Sequence, residues 1–359
     1  MNGGFYQEKP KSLGLDRQDQ REIAQITAYI LLHVVPPGKE DPLIQFAKQM
    51  QTGAIAAVAL ALTLPATAAQ LGQDARAAIP KDVQQLIVVD YHAMQNSQAA
   101  MDLKARVLPP ELKQLEQALR TSGLDENHDI EELAFASFKK GGDTRIVGLA
   151  QGQFSLDDIM ANFKKRKVKP IVYRENKVYP MGQSGMQVVF LNPTTMVFGQ
   201  TESLKSALDA RDGMAPSFLT NSAMLGQMAS VDTDAVWSVL DQEGTQTMMR
   251  SVLGDASELT DYDTVKKRLL SSRYSMNFDN GVKFSLDVIT PDTISAATMA
   301  SLLNAAALYK KVSGTPAEKE AIDNTTINSS GGTLDVRFAS SDSQFSSLLQ
   351  SSLFQSVVK

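Results

Sequence analysis

From about residue 70 onward, short apolar runs alternate with amphipathic stretches, and each predicts an element. Gln84–Asp90 (QQLIVVD) is apolar through its middle and bounded by Pro80 and a polar stretch, which predicts a buried strand. Tyr91–Arg106 and Pro110–Arg120 predict two helices parted at Pro109-Pro110. Leu112, Leu115 and Leu119 recur at helical spacing there, and Gly123 supplies a stop. Glu132–Phe138 and Thr144–Gln151 flank Lys140-Gly141-Gly142-Asp143, a hairpin signature. Ser155, with Asp158 three residues on, predicts the cap of a helix running to Arg166. Two strand pairs follow, Pro170–Arg174 with Lys177–Met181 across Glu175-Asn176, and Met186–Leu191 with Thr195–Gln200. A helix over Glu202–Arg211 ends at Gly213.

A second section repeats much of that order. Ala235–Leu240 predicts a strand, and Thr245–Leu253 and Tyr262–Ser271 predict helices. Arg273–Phe278 and Val282–Ile289 form a hairpin around Asp279-Asn280-Gly281, the clearest turn signal in the chain. Asp292 caps a long alanine-rich helix ending at Gly314. Thr325–Asn328 and Thr333–Ala339 pair across Ser330-Gly331-Gly332, and a helix over Asp342–Phe354 closes the chain. Both sections read strand, two helices, hairpin, helix, hairpin, helix, with one extra strand pair in the first. The expectation is an α+β fold of two tandem related units, residues 70–215 and 216–359, with mostly antiparallel sheets and helices packed on one face.

Ahead of this body lies Thr52–Ala69 (TGAIAAVALALTLPATAA), apolar, uncharged and built of small residues. Its heart, Ala54–Leu64, suits a secretory signal and is short for a membrane span of about 20 residues. Pro65 breaks the helix, and Ala66-Thr67-Ala68 offers small side chains to a signal peptidase, placing cleavage after Ala68 or Ala69. Some 50 residues precede the segment, against the usual order. Either residues 1–49 are an extension with a mis-assigned start, or residues 54–69 are retained as a weak inner-membrane anchor. A buried core helix is the third reading.

The phrases IPKDVQQLIVVDYHAM, ELKQLEQALRTSGLD and DIEELAFASF, with the signal-like segment and the element order, carry a resemblance. The chain resembles uncharacterised exported bacterial proteins with duplicated α+β domains of unknown function, over roughly residues 80 to 359. The resemblance implies export and fold, and it transfers no active-site residue.

Composition narrows the function classes. The 359 residues are 43% hydrophobic and 21% charged, enough for a sizeable core and unlike a disordered chain. The net charge is −5, and residues 1–69 balance internally, so the body itself is mildly acidic and a poor partner for nucleic acid. With no cysteine, disulfides, thiolate metal sites, cysteine nucleophiles and lipoprotein anchors are excluded.

Candidate chemistry is sparse. Asp90-Tyr91-His92 offers two metal ligands where zinc needs three or four, and a helix-capping aspartate is the simpler reading. Asp125–Asp129 begins like a calcium loop, but Ile130 and Ala136 stand where glycine and glutamate are required. Gly182-Gln183-Ser184-Gly185-Met186 lacks the second glycine of a nucleophile elbow, and Ser137-x-x-Lys140 lies at a strand end instead of on one helical face. No phosphate-binding glycine motif occurs. The sharpest charge feature is Lys164, Lys165, Arg166, Lys167 and Lys169, a candidate patch for an anionic lipid or acidic glycan. A solvated helix C-terminus is the simpler reading, because the run is short and lacks interleaved aromatics. Met214, Met224, Met228, Met248 and Met249 read as irregular core filling, and Trp237 as core. The expectation is an exported non-catalytic binding, scaffolding or assembly protein of the cell envelope, periplasmic or secreted, without cofactor or metal. A protein or peptide would be its partner, and a membrane only if the anchor is retained. An exported hydrolase with an unfamiliar site is the alternative.

Overall fold

The structure, a computed structural model, describes residues 70–95, 97–101, 110–181, 185–253, 266–278 and 280–350. The expectations for residues 1–69, for the far end of Tyr91–Arg106, for Gly182–Ser184, for residues 262–265 and for residues 351–354 lie outside the described residues.

In chain order the elements are α1 (Gln73–Ala77), β1 (Val83–Asp90), α2 (Tyr91–Met94), α3 (Pro110–Thr121) and α4 (Glu126–Asp129). Then come β2 (Ile130–Lys140), β3 (Asp143–Gly152), α5 (Leu156–Lys165), β4 (Ile171–Tyr173), β5 (Asn176–Met181), β6 (Met186–Asn192), β7 (Thr195–Gly199) and α6 (Thr201–Arg211). A 3₁₀ turn (Phe218–Thr220), α7 (Ser222–Met228), β8 (Val236–Leu240), α8 (Gln242–Leu253), β9 (Ser271–Asn277) and β10 (Val282–Ile289) follow. Last are α9 (Thr293–Ser313), α10 (Pro316–Asp323), β11 (Thr325–Ser330), β12 (Thr333–Ser340) and α11 (Asp342–Leu349).

The twelve strands among the described residues join one sheet in the order β11-β12-β10-β9-β8-β1-β2-β3-β7-β6-β5-β4, and each neighbouring pair is antiparallel. The two expected sheets are therefore continuous. They meet where β1 pairs with β8, Leu86 against Val239 and Val88 against Trp237. On one side of that seam the order runs β8-β9-β10-β12-β11, and on the other β1-β2-β3-β7-β6, with β5 and β4 added.

Helices cover both faces of the sheet, a correction to the single helical face read from the sequence. The reason lies in the central strands. β1 is buried along both of its faces, so side chains of either parity need a covering layer. One core gathers Ile87 and Val89 with α3, α5, α8, α9, α10 and α11, through Leu119, Phe163, Met249, Leu303, Ala321 and Phe345. The other gathers Leu86, Val88 and Trp237 with α1, α6, the 3₁₀ turn and α7, through Ala75, Leu208, Phe218 and Met228. Beyond β9 this second layer ends. β11 alternates between half-buried and exposed, and the uncovered face carries Arg273, Asp287, Asp335 and Arg337 in a linked set of ion pairs.

Local signals explain most boundaries. Asp292 caps α9, its Oδ1 accepting from the Ser295 amide at 2.7 Å. Gly332 closes the β11–β12 hairpin at φ +85°, a conformation that favours glycine. Three expectations differ. The helix read over Tyr262–Ser271 does not reach Ser271: Lys266 is its last helical residue, the Leu270 amide donates to the Ile289 carbonyl at 2.9 Å, and Ser271 starts β9. Ser155 precedes α5 but makes no side-chain cap hydrogen bond. The β4–β5 turn falls on Arg174 and Glu175, at φ 47° and 66°, one residue before the expected Glu175-Asn176. Two successive left-handed residues match the twist of a tight hairpin.

Candidate functional site

A concave surface lies at one edge of the sheet, under the second half of α9. α9 is long because Thr293–Ser313 holds no proline or glycine. It buries Met299 and Leu303 against the sheet. At Gly314 the chain turns, and α10 starts at a capping box. Thr315 accepts from the Glu318 amide, the Glu318 carboxylate accepts from the Thr315 amide, and Pro316 takes the first helical position. This cap sends α10 back along α9 and then into edge strand β11.

The result is a groove of about 340 Å³. Phe284, Val336 and Phe338, from β10 and β12, form its floor. Ile322 and Ile327 form one wall, and Ala307 and Leu308 of α9 overhang it. Leu308, at the lip, is 66% exposed. Three polar residues stand in the lining. Asn304 is fixed by two hydrogen bonds, donating to the carbonyls of Ala300 at 2.9 Å and Ile327 at 3.2 Å, and so ties α9 to β11. Thr325 donates to the Ala321 carbonyl at 2.7 Å. Lys311, the only charged residue of the lining, forms an ion pair with Asp323 at the end of α10.

The groups with burial-shifted ionisation sit elsewhere. Glu132 on β2 is 2% exposed, and burial pushes its carboxyl up to about 9, with the nearby charges of Asp90 and Glu131 acting in the same direction. Its Oε1 and the Nε of nearby Arg76 are buried without hydrogen-bond partners. Glu132 shares the strand parity of Ala134 and Ala136, so it faces the second core and not the groove. Asp241, at the end of β8, is pushed up to about 6 by burial although the Gly244 amide donates to it at 2.7 Å. Tyr274 is pushed up to about 12 by burial, with Gln85 donating to its hydroxyl at 3.4 Å.

The residues singled out in the sequence are scattered. Lys164 and Lys165 end α5, Arg166 caps it, and Lys167 follows in the left-handed region at φ 59°; all four, with Lys169, are exposed. They lead into β4, the edge opposite β11. Eight strands, β9 to β5 in the sheet order, separate β4 from β10 in the groove floor. Asp90 accepts from the Ala93 amide at 2.7 Å as a helix cap, beside an exposed His92. Asp125 caps α4, accepting from the Asn127 amide at 3.0 Å and lying 3.1 Å from the His128 Nδ1. Among the described residues no group of three or more histidine, aspartate or glutamate side chains is placed to hold a metal. Ser137 and Lys140 lie on β2 with opposite parity, and Lys140 donates to Ser206 at 2.9 Å. Met224, Met228, Met248, Met249 and Trp237 are buried, whereas Met214 is 64% exposed and fills no core.

No family model matches the chain, and no curated protein matches it. Among solved structures it is similar to two crystal forms of TP0453. Form I is 9% identical with a TM-score of 0.44, covering 76% of this chain and 95% of that one. Form III is 8% identical with a TM-score of 0.42, covering 76% and 96%. At these values no residue role or ligand passes from one chain to the other.

The sequence reading missed the groove because it missed α10. The signal was present: Thr315-Pro316-Ala317-Glu318 spells a capping box with proline at the first helical position. No helix among the described residues is long and apolar enough to cross a membrane.

Proposed function

We propose that this chain is a non-catalytic binding protein of the bacterial cell envelope, and that the groove beneath α9 is its binding site. The single observation that carries this reading is the groove's chemistry. It is apolar along floor, wall and roof, with polar groups only at Asn304, Thr325 and Lys311. Small-ligand sites have this make-up, an apolar cleft with few fixed polar groups. Glu132, Asp241 and Tyr274 do not line it, which favours binding over a hydrolytic centre.

The rest of the reading concerns origin and place. Two tandem related units are supported by the seam. Asp90, which ends β1, and Asp241, which follows β8, each cap the helix after the strand. Export is supported by the apolar segment at residues 54–69, and a mature N-terminus near Gln70 on sequencing would establish it.

The binding reading is tested with a neutral apolar fluorophore, 1-N-phenylnaphthylamine, titrated into the full chain. Saturable one-to-one binding, lost in Ala307→Trp and weakened in Leu308→Asp, is the expected result. Absence of binding, or equal binding by parent and variants, overturns it. Circular dichroism of each variant separates misfolding from a filled groove.

A further inference from the structure

We propose that the groove takes a single-chain amphiphile with a carboxylate head, held at Lys311, and a saturated tail of about ten to twelve carbons. This rests on the reading of the groove as a binding site and specifies its ligand. Three observations lead to it. First, the volume is 340 Å³, at the small end of the ~300–1,000 Å³ range for ligand sites. Taking a methylene as about as large as a water's ~30 Å³ share of liquid volume gives room for about 11 carbons. That excludes a two-chain lipid. Second, the lining that meets the tail, Phe284, Ile322, Ile327, Val336 and Phe338, carries no side-chain hydrogen-bonding group, so a tail with internal hydroxyls would leave them unpaired. Third, the one charge in the lining is a cation. Lys311 is about half exposed, and its ammonium carries three donors, of which the Asp323 pair occupies only part. A carboxylate accepts from the others. Asp323 is not among the residues that line the groove, so a cationic head finds no partner within it.

The competing occupant is an apolar peptide side chain from another protein. It would need the lip residues alone and would gain nothing from Lys311. The head group and the chain length therefore decide between them.

The test is isothermal titration of the full chain with dodecanoate, dodecanol and dodecyltrimethylammonium, each below its micellar concentration, and with octanoate and decanoate. Dodecanoate is expected to bind tightest, with affinity rising by roughly four-fold per methylene from octanoate to decanoate. Lys311→Gln is expected to weaken dodecanoate roughly five-fold and leave dodecanol unchanged. Asp323→Asn, which frees the ammonium, is expected to strengthen dodecanoate. If the three head groups bind alike, or Lys311→Gln weakens carboxylate and alcohol equally, the head-group assignment is overturned while the groove remains a binding site. If none binds and the neutral fluorophore also fails, the binding reading itself falls.

Discussion

Ile87 of β1 sits directly opposite Ser238 of β8, at the midpoint of a register running from Gln85–Leu240 to Val89–Val236. The two halves of the sheet thus join through one strand from each, and neighbouring side chains from the two strands fill the same core. Trp237, 1% exposed, lies beside this midpoint and packs with Leu86 and Val88 on the second face. Trp237→Ala is expected to cost about 3–5 kcal/mol and to destabilise both halves together. A urea titration followed by circular dichroism and by hydrogen exchange in each half checks this. Loss of stability in the β8–β12 half alone would show that the halves fold separately.

Gly148 tests how closely β3 and β7 approach. A Cβ added there would meet the Phe198 ring at 2.2 Å, and Phe198 is itself held edge-on to Phe135 with ring centroids 5.7 Å apart. The ring has little room to withdraw. Gly148→Ala is expected to destabilise by about 1–3 kcal/mol or more through overpacking, read from the thermal midpoint. A neutral result would mean that the ring moves freely.

Glu132 makes stability depend on pH with a definite sign. Its carboxyl titrates at about 9 in the folded chain, against 4.5 for an exposed glutamate, so the folded state binds the extra proton between those values. Its contribution is therefore complete below pH 4.5 and is lost as the pH rises towards 9. Asp241, pushed up to about 6 from 3.8, acts in the same direction over its narrower window. Glu132→Gln imitates the protonated carboxyl. Its advantage over the parent is expected to be small at about pH 5 and to reach roughly 1–3 kcal/mol at about pH 9, given about 1.4 kcal/mol per pKa unit and relaxation of the site. Denaturant midpoints at the two pH values give the comparison, and an advantage that does not grow with pH would contradict it.

Thr315 holds the start of α10 and with it one wall of the groove. Thr315→Ala removes the acceptor for the Glu318 amide and is expected to cost about 1 kcal/mol. Because α10 carries Ile322, the same change is expected to weaken the apolar fluorophore. Unchanged binding at reduced stability would show that the wall is set by β11 alone.

The sequence made the sheet legible where local chemistry is strong. The β10 range, Val282–Ile289, follows from its alternation, and α9 follows from Asp292 and Gly314. It misled where the information is not local. That β1 would pair with β8, merging two sheets into one, depends on residues some 150 positions apart. That helices cover both faces follows from that merger, since β1 then needs burial on each side. α1 and α7 were missed because Gln73–Ala77 and Ser222–Met228 are too short to show a helical period. The groove could not be read at all, since it arises where α9, α10 and three strands converge. The basic run at Lys164–Lys169 stood out in the sequence, yet it lies at the far edge, on the exposed end of α5 and the segment that follows it.

The proposed function stands or falls with a ligand entering the groove beneath α9. Photolysis of the full chain with a twelve-carbon carboxylate bearing a terminal diazirine, followed by peptide mass spectrometry, reports where such a ligand sits. Crosslinks are expected within residues 303–312 and 322–338, and an excess of dodecanoate should abolish them. Crosslinks spread over the surface, or concentrated near β4 at the opposite edge, would place the ligand elsewhere and refute the groove as its site.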